Sequence, residues 1–254
     1  MAASPMEQFE VTPIVPLHWG EIDLSFTNAS LWMCIVAASV ALFLTWGASQ
    51  PRLVPSRMQS LAELSYTFIA DMIRSAAGTE GLKFFPFIFT LFMFVLFSNL
   101  IGLLPPILIH PFTVTSHIIV TFALALFVFL MVIVVGLWRH GLHFLTLFAP
   151  KVPWPMLILM IPIEIVSFLS RPISLSVRLF ANMLAGHTML FVFGTFVVGL
   201  AGAGGVLSLL SVAPLIAITA VSALEFLIAF LQAYVFAILT CIYLNDALHL
   251  HEHH

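Results

Sequence analysis

Charged residues are scarce in this chain of 254 residues, where Asp, Glu, Lys and Arg together make up only 7%. A soluble domain carries about 25%, and a surface with so little charge cannot keep a globule of this size dispersed in water. Cysteine is also scarce, with two residues in all, which excludes a disulfide-framework fold. The formal net charge is −3 and no basic stretch is present, so nucleic acid is not an expected partner.

Several local motifs are absent as well. The N-terminus lacks a basic region followed by an early apolar core, so we expect residues 1–27 to be retained rather than removed as a signal peptide. No glycine-rich lysine motif for phosphate is present, so we expect no catalytic site and no ATP chemistry on this chain. We predict no metal or other cofactor and assign no role to the histidine-rich residues 249–254.

Apolar residues are abundant instead. They make up 62% of the chain, including 25 phenylalanines, and the mean hydropathy is +1.16. A chain this apolar does not stay disordered in water. The sequence therefore predicts an integral membrane protein.

Charge-free intervals predict the spans, because about 20 apolar residues cross the hydrocarbon core as a helix. The segment 52–83 instead concentrates charges among apolar residues at three- to four-residue spacing, which predicts an amphipathic interfacial helix. The last two segments are too long to cross upright, so they must tilt. The predicted fold is all-α, with a single membrane domain over residues 1–254: an outside tail 1–28, spans 29–50, 84–104 and 117–138, a hairpin of tilted antiparallel helices 155–200 and 206–245, and an inside tail 246–254.

Basic residues indicate the orientation. The N-terminal tail has acidic residues but no Lys or Arg, whereas the segment 52–83 has four basic residues. The positive-inside rule then places the N-terminus outside and the segment 52–83 inside. The same rule places the glycine-rich turn near residues 202–205 outside and the C-terminus inside.

Ionisable residues follow one face of the first long helix. A spacing of seven residues brings side chains to nearly the same side of an α-helix, and Ser167 and Asn182 lie on or near that side. Charges in hydrocarbon cost about 2.5–3.5 kcal/mol each on insertion scales, which favours a functional role. The predicted polar stripe contains Glu164, Ser167, Arg171, Ser174, Arg178 and Asn182.

A second polar group is predicted inside the helical hairpin. His187 is nine residues from Arg178, which turns it to the opposite side, toward the second long helix. On that helix Glu225, Gln232 and Tyr243 share a face. Counting from the glycine-rich turn places His187 and Glu225 at similar depth, so we expect them to share an aqueous cavity.

Each of these residues also has a purely structural interpretation. A serine such as Ser174 can bond back to a helix carbonyl, Arg171 can extend to the interface, and a lone histidine can simply be packed. Arg178 is different, because an arginine this deep stays protonated and needs a carboxylate. No acid in the chain is obviously matched to it, so its partner can belong to another subunit.

Two other functional classes fit an intramembrane arginine or histidine. A secondary transporter would bind an anionic substrate at Arg178, but it predicts inverted repeats, and the first half of the chain has no polar counterpart. A haem-bearing respiratory subunit needs facing histidines within spans, yet most of the other histidines fall in connections. The absorbance of the purified protein distinguishes the haem alternative.

Residues 174–187, SLSVRLFANMLAGH, closely resemble the characteristic motif of subunit a of F-type ATP synthases. FSNLIGLLP at 97–105, LQAYVF at 231–236 and LTCIYL at 239–244 resemble the same family. The resemblance extends over nearly the whole chain from about residue 24. It implies one N-terminal span, an interfacial helix, two further spans and a tilted hairpin against a ring of c subunits.

The resemblance also implies roles for the polar residues. Arg178 would face the proton-carrying carboxylate of the rotating c-ring, and Glu164 would belong to the inner half-channel. The outer half-channel would contain Asn182, His187, Glu225 and Gln232. Apart from the resemblance, Ser174, Arg171 and Tyr243 are secondary candidates for proton translocation, assigned to neither half-channel. Some bacterial members carry Glu and His in the reverse order at the positions of His187 and Glu225.

The implied function is proton translocation coupled to ATP synthesis, as a stator subunit without a catalytic site of its own. The implied partners are the c-ring, a peripheral stalk of subunit b or b and b′, the remaining ATP synthase subunits, protons and the lipid bilayer. We expect a bacterial plasma membrane rather than a mitochondrial inner membrane, because no targeting segment is evident.

Overall fold

The computed structural model describes residues 11–16, 18–19, 22–23, 25–49, 54–104, 113–141, 144 and 154–248. Within these residues, five helices are long and apolar enough to cross a membrane. This confirms the predicted all-α integral membrane class. The helices are α1 (Asn28–Ala48), α2 (Arg57–Gly81), α3 (Phe85–Gly102), α4 (Ile118–His140), α5 (Trp154–Gly202), a short α6 (Val206–Leu209) and α7 (Val212–Leu248).

Short strands precede α1. Strand β1 (Pro13–Val15) pairs with β4 (Phe26–Thr27), and β2 (His18–Trp19) pairs with β3 (Ile22–Asp23), both antiparallel. The sequence predicts only a tail in this region. Strands of two or three residues are too short to produce a recognisable alternation of apolar and polar residues.

The predicted interfacial segment contains α2, which begins behind the N-cap Ser56. Its side chain accepts a hydrogen bond of 3.3 Å from the Gln59 backbone amide. The helix changes direction at Gly78, whose φ of 64° is left-handed, a conformation that costs glycine little. A 3₁₀ turn over Leu82–Phe84 then leads into α3.

Helix α5 is continuous over 49 residues despite Pro162 and Pro172. At a rise of about 1.5 Å per residue its length is roughly 74 Å, more than twice the thickness of a hydrocarbon core. A helix of this length must tilt if it is to remain in the bilayer. Gly204 and Gly205, with φ values of 71° and 62°, form the turn after it.

The second helix of the predicted hairpin differs from the prediction. Instead of one helix from residue 206, the structure has α6, a turn at residues 210–211, and then α7. Pro214 occupies the third position of α7, and proline is favoured in a first turn because it has no amide hydrogen to donate. Helix α7 also continues to Leu248, beyond the predicted end at residue 245.

Some predicted features lie outside the described residues. These include residues 1–10 of the outside tail, residue 50 of the first span, residues 52–53 of the interfacial segment and residues 249–254 of the inside tail.

The chain forms two compact units. Unit 1 contains residues 1–42, 93–117 and 179–233, and unit 2 contains residues 43–92, 118–178 and 234–254. Unit 1 buries Met93, Val95, Leu179, Met183 and Ala229. Helices α5 and α7 are each divided between the units. The predicted polar side chains on these two helices are therefore divided between the units as well.

Unit 2 has an apolar core of its own. Ile69 and Ile73 of α2 are fully buried, which satisfies the apolar face of that helix. A separate cluster joins Val132, Phe144, Phe168 and Ala247. The cluster includes Ala247 near the C-terminal end of α7 and places Phe168 next to the polar group described below.

Candidate functional site

His187 and Glu225 form an ionisable pair in unit 1. The His187 Nε2 and Glu225 Oε1 atoms are 4.0 Å apart, and the side chains are only 15% and 3% exposed. The structure thus brings together the two residues that helical periodicity placed at one depth. The imidazole and the carboxyl can both carry a proton. Their separation is longer than one hydrogen bond but shorter than two placed end to end.

Gly186 creates the space for the Glu225 carboxyl. A Cβ atom at position 186 would overlap the Oε1 atom of Glu225 and lie 2.8 Å from its Cδ atom. Any side chain at position 186 must therefore displace the carboxyl. The lack of a side chain at this position sets where the carboxyl lies relative to His187.

The Glu225 carboxyl is unusual in its surroundings. Both of its oxygen atoms are buried, and neither has a hydrogen-bond partner among the described residues. A carboxylate removed from water is costly unless it is paired, hydrogen-bonded or neutralised by a proton. Such a group is suited to gain and lose a proton rather than to hold a permanent charge.

A hydrogen-bonded network adjoins the pair. The Thr113 hydroxyl lies 3.0 Å from His187 Nε2. The Thr115 hydroxyl donates to Asn99 Oδ1 at 2.8 Å, and Asn99 Nδ2 donates to the Ala229 carbonyl at 3.1 Å. None of these residues was predicted as a site residue. A signal for Asn99 was present, since it is the one asparagine in the charge-free run 84–138.

Unit 2 contains a second polar group, centred on Arg171. Arg171 Nη1 donates to Asp246 Oδ2 at 3.1 Å, with the side chains 21% and 26% exposed. Its guanidinium also lies 4.9 Å from the Tyr243 ring centre and 5.5 Å from that of Phe168. Arg171 is therefore paired inside the chain instead of extending to the interface. Asp246 was missed because the predicted tail began there.

The Arg171–Asp246 pair is expected to stabilise unit 2. We predict that Asp246→Asn lowers the free energy of unfolding by about 1–2 kcal/mol, because it removes a charge-assisted hydrogen bond that is largely shielded from water. Thermal unfolding of the detergent-solubilised protein measures this loss. The control is Asp71→Asn, which disrupts an exposed 3.3 Å pair with Arg74 and should change stability by less than about 0.5 kcal/mol. Equal effects at the two positions would contradict the prediction.

Arg178 is placed differently from Arg171. It is exposed on the surface of α5, and the ion pairs recorded among the described arginines involve Arg74, Arg139 and Arg171. A permanently charged guanidinium on an otherwise apolar helix needs a carboxylate or water. Its exposure leaves it free to meet a group on another molecule.

The remaining predicted residues form no hydrogen bond or ion pair with one another among the described residues. Asn182 and Gln232 are half-buried in unit 1, Glu164 is half-buried in unit 2, and Ser174 is exposed. No hydrogen bond or ion pair joins these four side chains to the other predicted residues in the described part of the chain.

An open apolar groove runs along α5 within unit 1. Its lining includes the small side chains of Ala181, Ala185 and Thr188, which permit a neighbouring helix to approach closely. The groove is lined by Phe180, Ala181, Leu184, Ala185, Thr188, Met189, Val192 and Phe193.

Comparison with known proteins gives a consistent result. The family model described as ATP synthase A chain matches residues 30–245. A protein named ATP synthase subunit a from Hyphomonas neptunium is 58% identical over 254 residues, covering 100% of this chain and 99% of that protein. Proteins of the same name from a Chelativorans species and from Mesorhizobium japonicum are 56% and 57% identical, covering 98% and 96% of this chain and 99% and 96% of their own length.

Proposed function

Because the chain belongs to the ATP synthase A chain family, we propose that it conducts protons through two aqueous half-channels separated by Arg178. The coarser role follows from membership itself: the chain is a membrane subunit of the proton-transporting sector and has no catalytic site for ATP. Membership also decides against the transporter and haem-protein alternatives. The observation that carries the finer proposal is the buried pair of His187 and Glu225.

The outer half-channel is formed by residues of unit 1. Protons enter past Asn182 and Gln232 and are exchanged between His187 and Glu225. The pair supports this role because the Glu225 carboxyl is buried without a partner among the described residues, so its protonated form is readily accommodated. The imidazole beside it can accept and return that proton.

The inner half-channel is formed by residues of unit 2. Glu164 is its acidic residue, and Ser174, Arg171 and Tyr243 are secondary members. The ion pair of Arg171 with Asp246 supports this proposal, because it places two charged side chains together within unit 2.

Arg178 separates the two half-channels and acts on the c-ring. A ring carboxyl crosses the hydrocarbon in its protonated form, since the charged form is too costly there. When it meets Arg178, the positive charge lowers the pKa of that carboxyl and promotes proton release. Each elementary charge moved through 100 mV supplies about 2.3 kcal/mol, and several such steps turn the ring.

The partners follow from this mechanism. The c-ring contacts α5 along the groove that begins at Phe180, where small side chains permit close helix packing. A peripheral stalk of subunit b, or of b and b′, holds the chain against rotation, and the other ATP synthase subunits complete the assembly. The membrane is a bacterial plasma membrane.

A glycine substitution tests the outer pair directly. Gly186→Ala should lower proton-driven ATP synthesis about tenfold, because the added methyl group displaces the Glu225 carboxyl and weakens one proton-transfer contact. Synthesis is measured in membrane vesicles under an imposed proton gradient, with the amount of assembled complex determined in parallel.

The matched control is Gly194→Ala on the same helix, where a Cβ atom would meet nothing within 4 Å. This variant should retain wild-type synthesis. If both variants behave alike, the placement of the Glu225 carboxyl does not limit proton flow, and the proposed role of the pair fails.

A further inference from the structure

We propose that Thr113 is a positioning residue for His187, whose hydroxyl holds the imidazole in both of its charge states. This inference rests on the proposed function of the His187–Glu225 pair and extends it to the segment after α3. The observation behind it is the 3.0 Å contact between Thr113 Oγ1 and His187 Nε2, which joins residues 74 positions apart.

The contact uses the nitrogen that also faces Glu225. His187 Nε2 is 4.0 Å from Glu225 Oε1 and 3.0 Å from Thr113 Oγ1. The hydroxyl is therefore the nearer polar group at this nitrogen. Thr113 is only 5% exposed, so water does not readily compete for the contact.

Hydrogen bonds hold the turn that begins at Thr113. The Thr113 carbonyl accepts hydrogen bonds from the Ser116 hydroxyl at 2.6 Å and the Ser116 amide at 3.1 Å. Thr115 binds Asn99, which binds the Ala229 carbonyl, one helical turn after Glu225 on α7. The same helix thus carries the carboxyl and anchors the turn that holds the threonine.

Gly102 provides the room for this arrangement. A Cβ atom at position 102 would lie 2.7 Å from Thr113 Cγ2 and 2.8 Å from Thr113 Oγ1. These distances are too short for ordinary contact, so any side chain at position 102 would displace the hydroxyl. The absence of a side chain at Gly102, the last residue of α3, therefore leaves space for Thr113 beside His187. Gly186 leaves space for the Glu225 carboxyl in the same way.

A hydroxyl is chemically suited to this position. It has one donor hydrogen and two acceptor lone pairs, and it rotates freely. It can donate to Nε2 of a neutral imidazole and accept from the N–H of a protonated one. His187 can therefore gain and lose a proton at Nε2 while the ring keeps its orientation toward Glu225.

The test uses Thr113→Val and Thr113→Ser in the complete ATP synthase. Valine keeps the shape and removes the hydroxyl, and should lower proton-driven ATP synthesis about tenfold, the loss that corresponds to one hydrogen bond to a charged group. Serine keeps the hydroxyl and should retain most of the rate. The control is Thr240→Val, since Thr240 is equally buried and its hydroxyl donates to the Phe236 carbonyl of its own helix.

A double-mutant cycle separates positioning from a structural role. In a His187→Gln background, Thr113→Val should cause no further loss, because the residue through which it acts is already gone. Independent, multiplying losses would overturn the inference. So would wild-type synthesis by Thr113→Val, or an equal loss in the serine and valine variants.

Two further measurements keep the outcome interpretable. If Thr113→Val does not assemble, Gly102→Ala replaces it, since that change moves the hydroxyl without removing it and should also slow synthesis; unchanged synthesis would overturn the inference. Glu225→Gln reports on the underlying function. If Glu225→Gln is impaired and Thr113→Val is not, only the role of Thr113 fails, whereas wild-type synthesis by Glu225→Gln would remove the proposed outer half-channel itself.

Discussion

Replacement of Arg178 by alanine is expected to abolish ATP synthesis and proton-pumping hydrolysis while allowing protons to leak through the assembled membrane sector. The guanidinium is exposed on α5 and keeps its charge at any physiological pH. A fixed positive charge repels free protons between the half-channels and attracts the ring carboxylate. Removing the guanidinium therefore removes the barrier to free protons between the half-channels. It also removes the positive charge that promotes proton release from the ring carboxyl.

Proton permeability of vesicles stripped of the soluble ATPase sector measures the leak, and synthesis in intact vesicles measures coupling. Arg178→Lys should also fail to couple, because it keeps the charge but loses reach and the planar fork. Normal coupled synthesis in the alanine variant would refute the mechanism. If the alanine variant assembles but neither synthesises ATP nor leaks protons, the proposed attraction of the ring carboxylate by Arg178 stands. Its proposed role as a barrier to free protons is then contradicted.

The second large effect is expected at the outer pair. Glu225→Leu should lower synthesis by about 100-fold, the lower end of what a positioned proton carrier contributes, while leaving assembly intact. His187→Glu alone should be comparably impaired, because it places two carboxyls side by side. The exchange His187→Glu with Glu225→His should recover more activity than either single change, since it restores one acid and one imidazole at the two positions whose native side chains are 4.0 Å apart.

The exchange is a test of coupling between the two positions. Synthesis rates are compared at equal amounts of assembled complex. A double variant no better than the poorer single variant would show that each residue acts separately, and the pair would lose its role as a unit.

The helices were predictable because lipid imposes a simple rule. A chain that crosses hydrocarbon must satisfy its backbone within helices, so charge-free runs of sufficient length mark the spans. Periodicity then placed His187 toward the second helix, and the structure brings it to Glu225. Both inferences use local geometry, which a helix transmits faithfully over many residues.

The contacts that were not predicted join residues far apart in the sequence, which helical periodicity does not relate to one another. Thr113 lies 74 residues before His187, and only tertiary packing relates the two. Asp246 follows the last long apolar run, where a tail was expected, yet it lies in the final turns of α7 and binds Arg171. The interruption before Val212 likewise depends on Pro214, whose effect on a helix varies with its position.

The buried Glu225 carboxyl has a consequence for the evolution of the chain. Replacing a buried, poorly compensated ionisable group with an apolar one of similar volume is commonly neutral or stabilising. Natural selection for fold stability alone would therefore remove this glutamate. Its presence beside a glycine whose Cβ atom would displace the carboxyl implies that stability is sacrificed for proton transfer at this position. Variants isolated for heat resistance are therefore expected to include apolar replacements of Glu225, and those replacements would lose proton flow as they gained stability.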